Sequence, residues 1–403
     1  MKKQNNYMAW LLYIFSFAAA LGINAPFTNL YQNFSIFDVI ILFFLPISIF
    51  GFAKITASKE GKILGLLIAL LVFWEMLSLF MAPIKEIENI GPIVRLAYYG
   101  VIVFIGMGVI QEERHLRMMT YLFLLGILAN LIAAIYLWAL APRYWFYLPI
   151  IDNEFINRNS FYYYLVFALP LALCLAQLVQ KKITHFLVYL WSVIITIAAF
   201  LSFSKGAWII LSIIWGMYGI FRTRKIVIPL IIAGIIIGGL FGTGVVQIDN
   251  ILRGIEARLT PDALEPSLDR IDFLRISWNM GLDHLFLGVG TRNFRYFVSN
   301  YHDIIRTRDP HSTYAMIFAE TGFPGLALYL AILGSVFWWF LKVRKKAGQN
   351  KLLRTYWESG ALLILIVLAL NMMTGVSFTD KIFPFFLLYI TGIARVSGIN
   401  KKN

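Results

Sequence analysis

A single cysteine, Cys174, stands in this sequence, inside an apolar run, so neither a disulfide framework nor a zinc cluster is available. Charge is scarce as well. Charged residues make up 14% of the chain and hydrophobic ones 60%, more than a soluble domain of this length needs to fill its core. Acidic residues are outnumbered, 21 against 35 Lys and Arg, for a net charge of +14. That excess lies largely in short loops between apolar runs, where it reads as a topology signal, so nucleic acid is rejected as a partner. No Gly-x-Ser-x-Gly elbow occurs, which leaves a serine nucleophile unsupported. Lysine is also missing from one long polar segment, residues 246–311.

What is present is a series of apolar runs. About 20 mostly apolar residues cross a hydrocarbon core, and runs of that kind fall at 8–24, 34–53, 63–82, 92–110, 118–140, 160–179, 186–202, 206–221, 226–245, 312–341, 356–374 and 382–395. Backbone groups in lipid must bond internally, and without two-residue alternation such runs can do so only as helices. The expectation is an all-α polytopic membrane protein with about 12 transmembrane helices, forming one integral membrane domain over 1–403. Lys2 and Lys3 precede a run that looks like a signal peptide, but no small-residue cleavage site follows, so it is kept as the first span. With a cytoplasmic N-terminus, the inner loops collect 21 basic residues, Lys54, Arg114, Lys181 and the KVRKKAGQNKLLR cluster among them. That asymmetry predicts both termini in the cytoplasm and 246–311 as a large outer loop between spans 9 and 10.

The outer loop is too long for a simple connector. Its eight basic residues are all Arg, at 253, 258, 270, 275, 292, 295, 306 and 308, with nine acidic residues among them. Guanidinium groups grip phosphate oxygens two at a time, which points to a phosphorylated ligand; the plainer alternative is a loop laced by surface ion pairs. IDNILRGIEARL is amphipathic. A second helix is expected from Leu268 to Leu282, with Ile271, Leu274, Trp278 and Leu282 on one stripe, Arg275 near its edge and Arg270 off to the side. Asp269 and Asp272 are taken as partners for Arg, and no Asp-x-Asp pair or Cys/His spacing supports a metal.

Pro310 precedes His311, and Ser312 or Thr313 can cap a short helix that Gly322 ends, with a span restarting at Pro324. His311 would share its space with that helix end, which attracts anions. A lone outer histidine is commonly a turn residue; the helix start and the arginines, which would keep it neutral, favour a base. Lys205, in SFSKGAW at an outer helix junction, either contacts a ligand or snorkels to the interface. Arg158 is a mouth residue at the outer start of the sixth run. Glu75, well inside the third, is expected to form a structural pair with some cation.

Four pieces in this order, SFSKGAW, DRIDFL, DHLFLGVGTRNF and HSTYAMIFAETGFPGLALYL, resemble the O-antigen ligase and O-antigen polymerase superfamily of bacterial membrane glycosyltransferases, mainly over residues 158–341. The resemblance implies transfer of a glycan from undecaprenyl diphosphate to a sugar hydroxyl, outside the inner membrane and without metal, nucleotide sugar or other cofactor. The acceptor would be the lipid A core for a ligase, or another lipid-linked repeat for a polymerase. By position His311 matches the family's base and Arg270 its arginine ahead of the GVG turn. Lys205 stands where an arginine usually follows Ser-x-Ser, a departure that keeps the charge and loses the two-pronged grip. Arg275, Arg292 and Arg158 would add charge around the diphosphate, and Glu320 would orient His311 or the acceptor. A transporter or flippase of a lipid-linked glycan is the rival of another class, and it would call for broken helices and ionisable residues at mid-membrane in both halves.

Overall fold

The computed structural model describes residues 2–21, 59–86, 89–140, 148–149, 155–156, 158–202, 204–222, 265–301, 310–373 and 382–399. Numbered over these residues, the helices are α1 (Lys2–Ala20), α2 (Lys59–Met81), α3 (Ile90–Val109), α4 (Glu113–Leu140), α5 (Arg158–Leu178), α6 (Lys182–Phe200), α7 (Lys205–Arg222), α8 (Glu265–Asp283), α9 (Phe294–Phe297), α10 (Thr313–Ala347), α11 (Lys351–Met373) and α12 (Ile382–Ile399). A two-residue antiparallel pair, Leu148–Pro149 with Phe155–Ile156, precedes α5. Seven helices are long and apolar enough to cross a membrane, and three shorter apolar helices accompany them among the described residues. The expected runs at 34–53 and 226–245 lie outside those residues, as do IDNILRGIEARL, Lys381 and the outer loop up to residue 264.

One apolar core joins the long helices. α1 packs on α4, α2 on α3 and α10, and α5 on α6 and α11, while α10 also packs on α11 and α12. Buried polar side chains tie neighbours together where lipid offers them no partner. Asn130 of α4 donates to Ala20 O at 2.6 Å, Ser359 of α11 to Pro170 O of α5 at 3.1 Å, and Asn371 of α11 to the Tyr329 hydroxyl of α10 at 2.9 Å.

α10 is two helices meeting at Gly322. Ser312 caps the first, its hydroxyl accepting from Ala315 N at 3.4 Å. Gly322 then takes φ 69°, ψ −169°, a region closed to residues with a Cβ, and Pro324 starts the second helix. The first segment, Thr313–Thr321, crosses the end of the bundle. Ser312 donates to Asn371 O of α11 at 3.3 Å, while at the other end Thr321 O and Glu320 O accept from Trp74 Nε1 (2.9 Å) and Ser78 Oγ (2.8 Å) of α2.

α8 lies beside this segment. Its Phe273, Ile276 and Met280 form a second, smaller core with Val289, Phe294, Val298 and Ala319. The stripe read from the sequence, Ile271, Leu274, Trp278 and Leu282, is the exposed one. Both stripes are apolar at helical spacing, and α10 chose the other.

Candidate functional site

The turn after α8 holds the two outer helices in register. Val289 N donates to Ala319 O and Gly290 N to Glu320 O, both at 2.9 Å, and Phe323 N donates to Leu285 O at 2.8 Å. Gly288 has φ +67° and lies so close to the Glu320–Thr321 peptide that a Cβ would collide with backbone, which is why GVG begins with glycine. Glu320 is built into this joint. It is buried, and its Oε1 accepts from Phe294 N at 3.4 Å, at the start of α9.

Arg270 is half-buried on the side of α8 that faces protein, within electrostatic reach of Tyr162 near the start of α5. The Tyr162 hydroxyl hydrogen-bonds with Ser204 and Tyr163. Gly206, in the first turn of α7, sits against that same hydroxyl, leaving no room for a Cβ. Lys205, between Ser204 and Gly206, therefore opens α7 beside the tyrosine that Arg270 reaches. This junction of α5, α7 and α8 joins two of the expected cations, and Tyr162, Ser204 and Gly206 are members that sequence reading missed.

His311 belongs to the same end of the molecule by two registers. Phe318 packs on Trp278, ring centroids 4.9 Å apart, and a Cβ on Gly281 would meet it too. Seven residues back along each chain lie His311 and Ile271, next to Arg270. From the Ser359–Pro170 bond, eight residues along α5 reach Tyr162, about 12 Å away at 1.5 Å per residue. Twelve residues the same way along the antiparallel α11, about 18 Å, lead to Asn371, whose carbonyl accepts from Ser312. His311 itself is half-buried.

The remaining candidates lie elsewhere. Arg275 is exposed on another face of α8. Arg292, at φ 63°, is within electrostatic reach of Glu75, whose buried carboxyl group accepts from Thr291 Oγ1. Arg295 pairs with Glu86 at 3.1 Å on the surface, the plain ion-pair reading of the loop realised at that residue. Arg158 opens α5, four residues before Tyr162. Its side chain and residues 302–309 lie outside the described parts.

At the far end of α8 an open cavity of about 640 Å³ is bordered by Ser78, Ala82, Asp283, His284, Gly288 and Phe297. Burial and the hydrogen bond that it donates to Asp283 push the nearby Tyr301 hydroxyl up to about 12. Among the described residues no three His, Cys, Asp or Glu side chains gather as a metal-ligand set.

No curated protein matches the chain significantly. Residues 190–330 match the family model described as O-Antigen ligase, a stretch that takes in Lys205, Arg270, Arg275, Arg292, His311 and Glu320 and leaves out Arg158. With its several apolar helices the chain reads as a multi-pass membrane protein whose stretch 190–330 is similar to the O-antigen ligase family.

Proposed function

We propose that this protein is an O-antigen ligase-type glycosyltransferase that moves a glycan from undecaprenyl diphosphate to a hydroxyl of the lipid A core, on the periplasmic face of the bacterial inner membrane, with both termini cytoplasmic. The observation that carries the reading is the convergence of Lys205, Arg270 and the segment bearing His311 on one end of the helix bundle.

The reaction asks little of the protein beyond charge, position and one proton transfer. A glycosyl diphosphate brings its own leaving group. Lys205 and Arg270 stabilise the negative charge that grows on the departing diphosphate, and the positive end of the α10 helix dipole adds to their field. His311 takes the proton of the acceptor hydroxyl as its oxygen bonds to the anomeric carbon. The bond to the diphosphate oxygen breaks on the opposite face, and the anomeric carbon inverts. No metal or cofactor enters. Glu320 serves by fixing the joint between the GVG turn and α10, which positions His311 indirectly. Arg158 lends charge to the mouth.

The experiment is deletion of the gene and separation of the cell's lipopolysaccharide on a gel, complemented by wild type or His311→Ala. Loss of long chains from the core, with the polymer retained on its lipid carrier, supports the ligase. A single repeat left on the core means that the acceptor is a second lipid-linked repeat and the enzyme a polymerase. Unchanged lipopolysaccharide in the deletion overturns both.

A further inference from the structure

α8 is three-sided. At 100° per residue, Phe273, Ile276, Ser277 and Met280 fall on one sector, all buried, with Arg270 beside them. Asp272, Asn279 and Asp283 make a narrow polar edge, all exposed. The third sector is apolar and uncovered: Ile271 is 62% exposed, Leu274 38%, Trp278 55% and Leu282 53%, and Arg275 lies between this sector and the polar edge. A helix on a water-facing surface needs no third, apolar sector. One that lies between protein, hydrocarbon and water needs all three.

The helix also lies in the right place. Its first turns reach Tyr162 near the start of α5, and the turn beyond its last residue reaches Trp74 of α2, whose ring meets Phe286 at 5.2 Å. Its 19 residues, about 28 Å long, therefore run across the end of the bundle. The uncovered sector continues through Phe286 and Phe323 to Met81, which borders the same open cavity as Phe286; all three are exposed apolar residues, and Met81 ends a helix that is itself long and apolar enough to cross a membrane. That continuity identifies the occupant. The surface of α2 that faces hydrocarbon and the third sector of α8 are one surface, and an arginine at its upper rim is placed where lipid phosphates lie.

We propose that α8 is an interfacial helix: Ile271, Leu274, Trp278 and Leu282 are seated in the bilayer leaflet at this end of the bundle, and Arg275 meets the phosphates of its headgroups. The two arginines of the helix then divide their work, Arg270 toward the protein and Arg275 toward the leaflet. This assignment stands on the surfaces of α8 and α2 and does not depend on the glycosyltransferase reading.

The test is spin labelling of the full chain in lipid nanodiscs. The one native cysteine, Cys174, is buried and is replaced by Ala. Single cysteines at 271, 274, 278 and 282, and at 272, 279 and 283, carry the label, and relaxation by oxygen, which concentrates in lipid, is compared with relaxation by a water-soluble nickel chelate. Oxygen should dominate at the first four positions and nickel at the other three. In a second set, Arg275→Glu should lower the oxygen-to-nickel ratio at 278 while Arg275→Lys leaves it unchanged. Nickel access at the first four positions equal to that at 272 and 279 would overturn the proposal, because the helix would stand in water. Low access to both reagents there would also overturn it, because protein would cover the face. An unchanged ratio in Arg275→Glu would remove the headgroup contact.

Discussion

Gly322→Ala is the sharpest perturbation of the joint on which the site is built. At φ 69°, ψ −169°, a residue with a Cβ costs about 1–3 kcal/mol in backbone strain alone. The added Cβ would also sit 2.6 Å from the carbonyl oxygens of Leu285 and Phe286. Relief requires separation of the turn from α10, which gives up the Phe323 N to Leu285 O bond, worth about 0.5–1.5 kcal/mol. The sum, about 1.5–4.5 kcal/mol, lowers the docked population by roughly 10- to 1,600-fold relative to wild type at 1.4 kcal/mol per tenfold. Gly334, farther along α10, is the internal control: its added Cβ meets nothing within 4 Å, and Gly→Ala in a helix interior gains about 1 kcal/mol. Thermal unfolding in detergent, followed alongside transfer activity, should show Gly322→Ala with a lower midpoint and little activity, and Gly334→Ala at or above wild type in both. Equal midpoints for Gly322→Ala and wild type would refute the reasoning.

The other predictions concern the charged junction. Lys205→Arg should keep transfer and Lys205→Ala should lose about 10²–10³-fold in rate, measured with lipid-linked donor, because the position supplies charge to the leaving group; full activity in Lys205→Ala would count against it. Gly206→Ala should destabilise by pressing on the Tyr162 hydroxyl, and Tyr162→Phe in the same chain should restore part of the lost midpoint, a coupling that a double-mutant cycle reads directly. Glu75→Ala should be more damaging to stability than Glu86→Ala, because the first removes a buried carboxylate facing Thr291 and Arg292 and the second an exposed pair with Arg295, worth at most about 1 kcal/mol.

How much of this was legible in the sequence follows from the kind of force involved. Long apolar runs become helices because a backbone in lipid has no other partner, so α2 to α7 and α10 to α12 could be read from hydropathy. The break at Gly322 was legible too, since Ser312, Gly322 and Pro324 each carry a local backbone preference. What local pattern cannot carry is the choice between two apolar faces. On α8 the stripe of Ile271 and Trp278 and the stripe of Phe273 and Met280 are equally helical, and only packing on Val289, Phe294 and Ala319 decides which is covered. Partners far apart in sequence were equally hidden: Thr291 meets Glu75 across 216 positions, and Tyr162 joins Arg270 through a fold that no spacing announces. Loop composition left open which arginines meet a ligand and which form ion pairs; Arg295 pairs with Glu86 on the surface, and Arg292 lies within electrostatic reach of the buried Glu75.

The most direct measurement is transfer by the purified protein in nanodiscs, with undecaprenyl diphosphate-linked glycan and lipid A core as the only substrates, chelator present and no ion gradient. Wild type should form the glycan–core product, and His311→Ala, at equal protein level, should be slower by about 10²–10⁴-fold, the contribution of a positioned base. Product formed by His311→Ala at a rate near wild type, or none formed by wild type until a gradient is applied, would contradict the account.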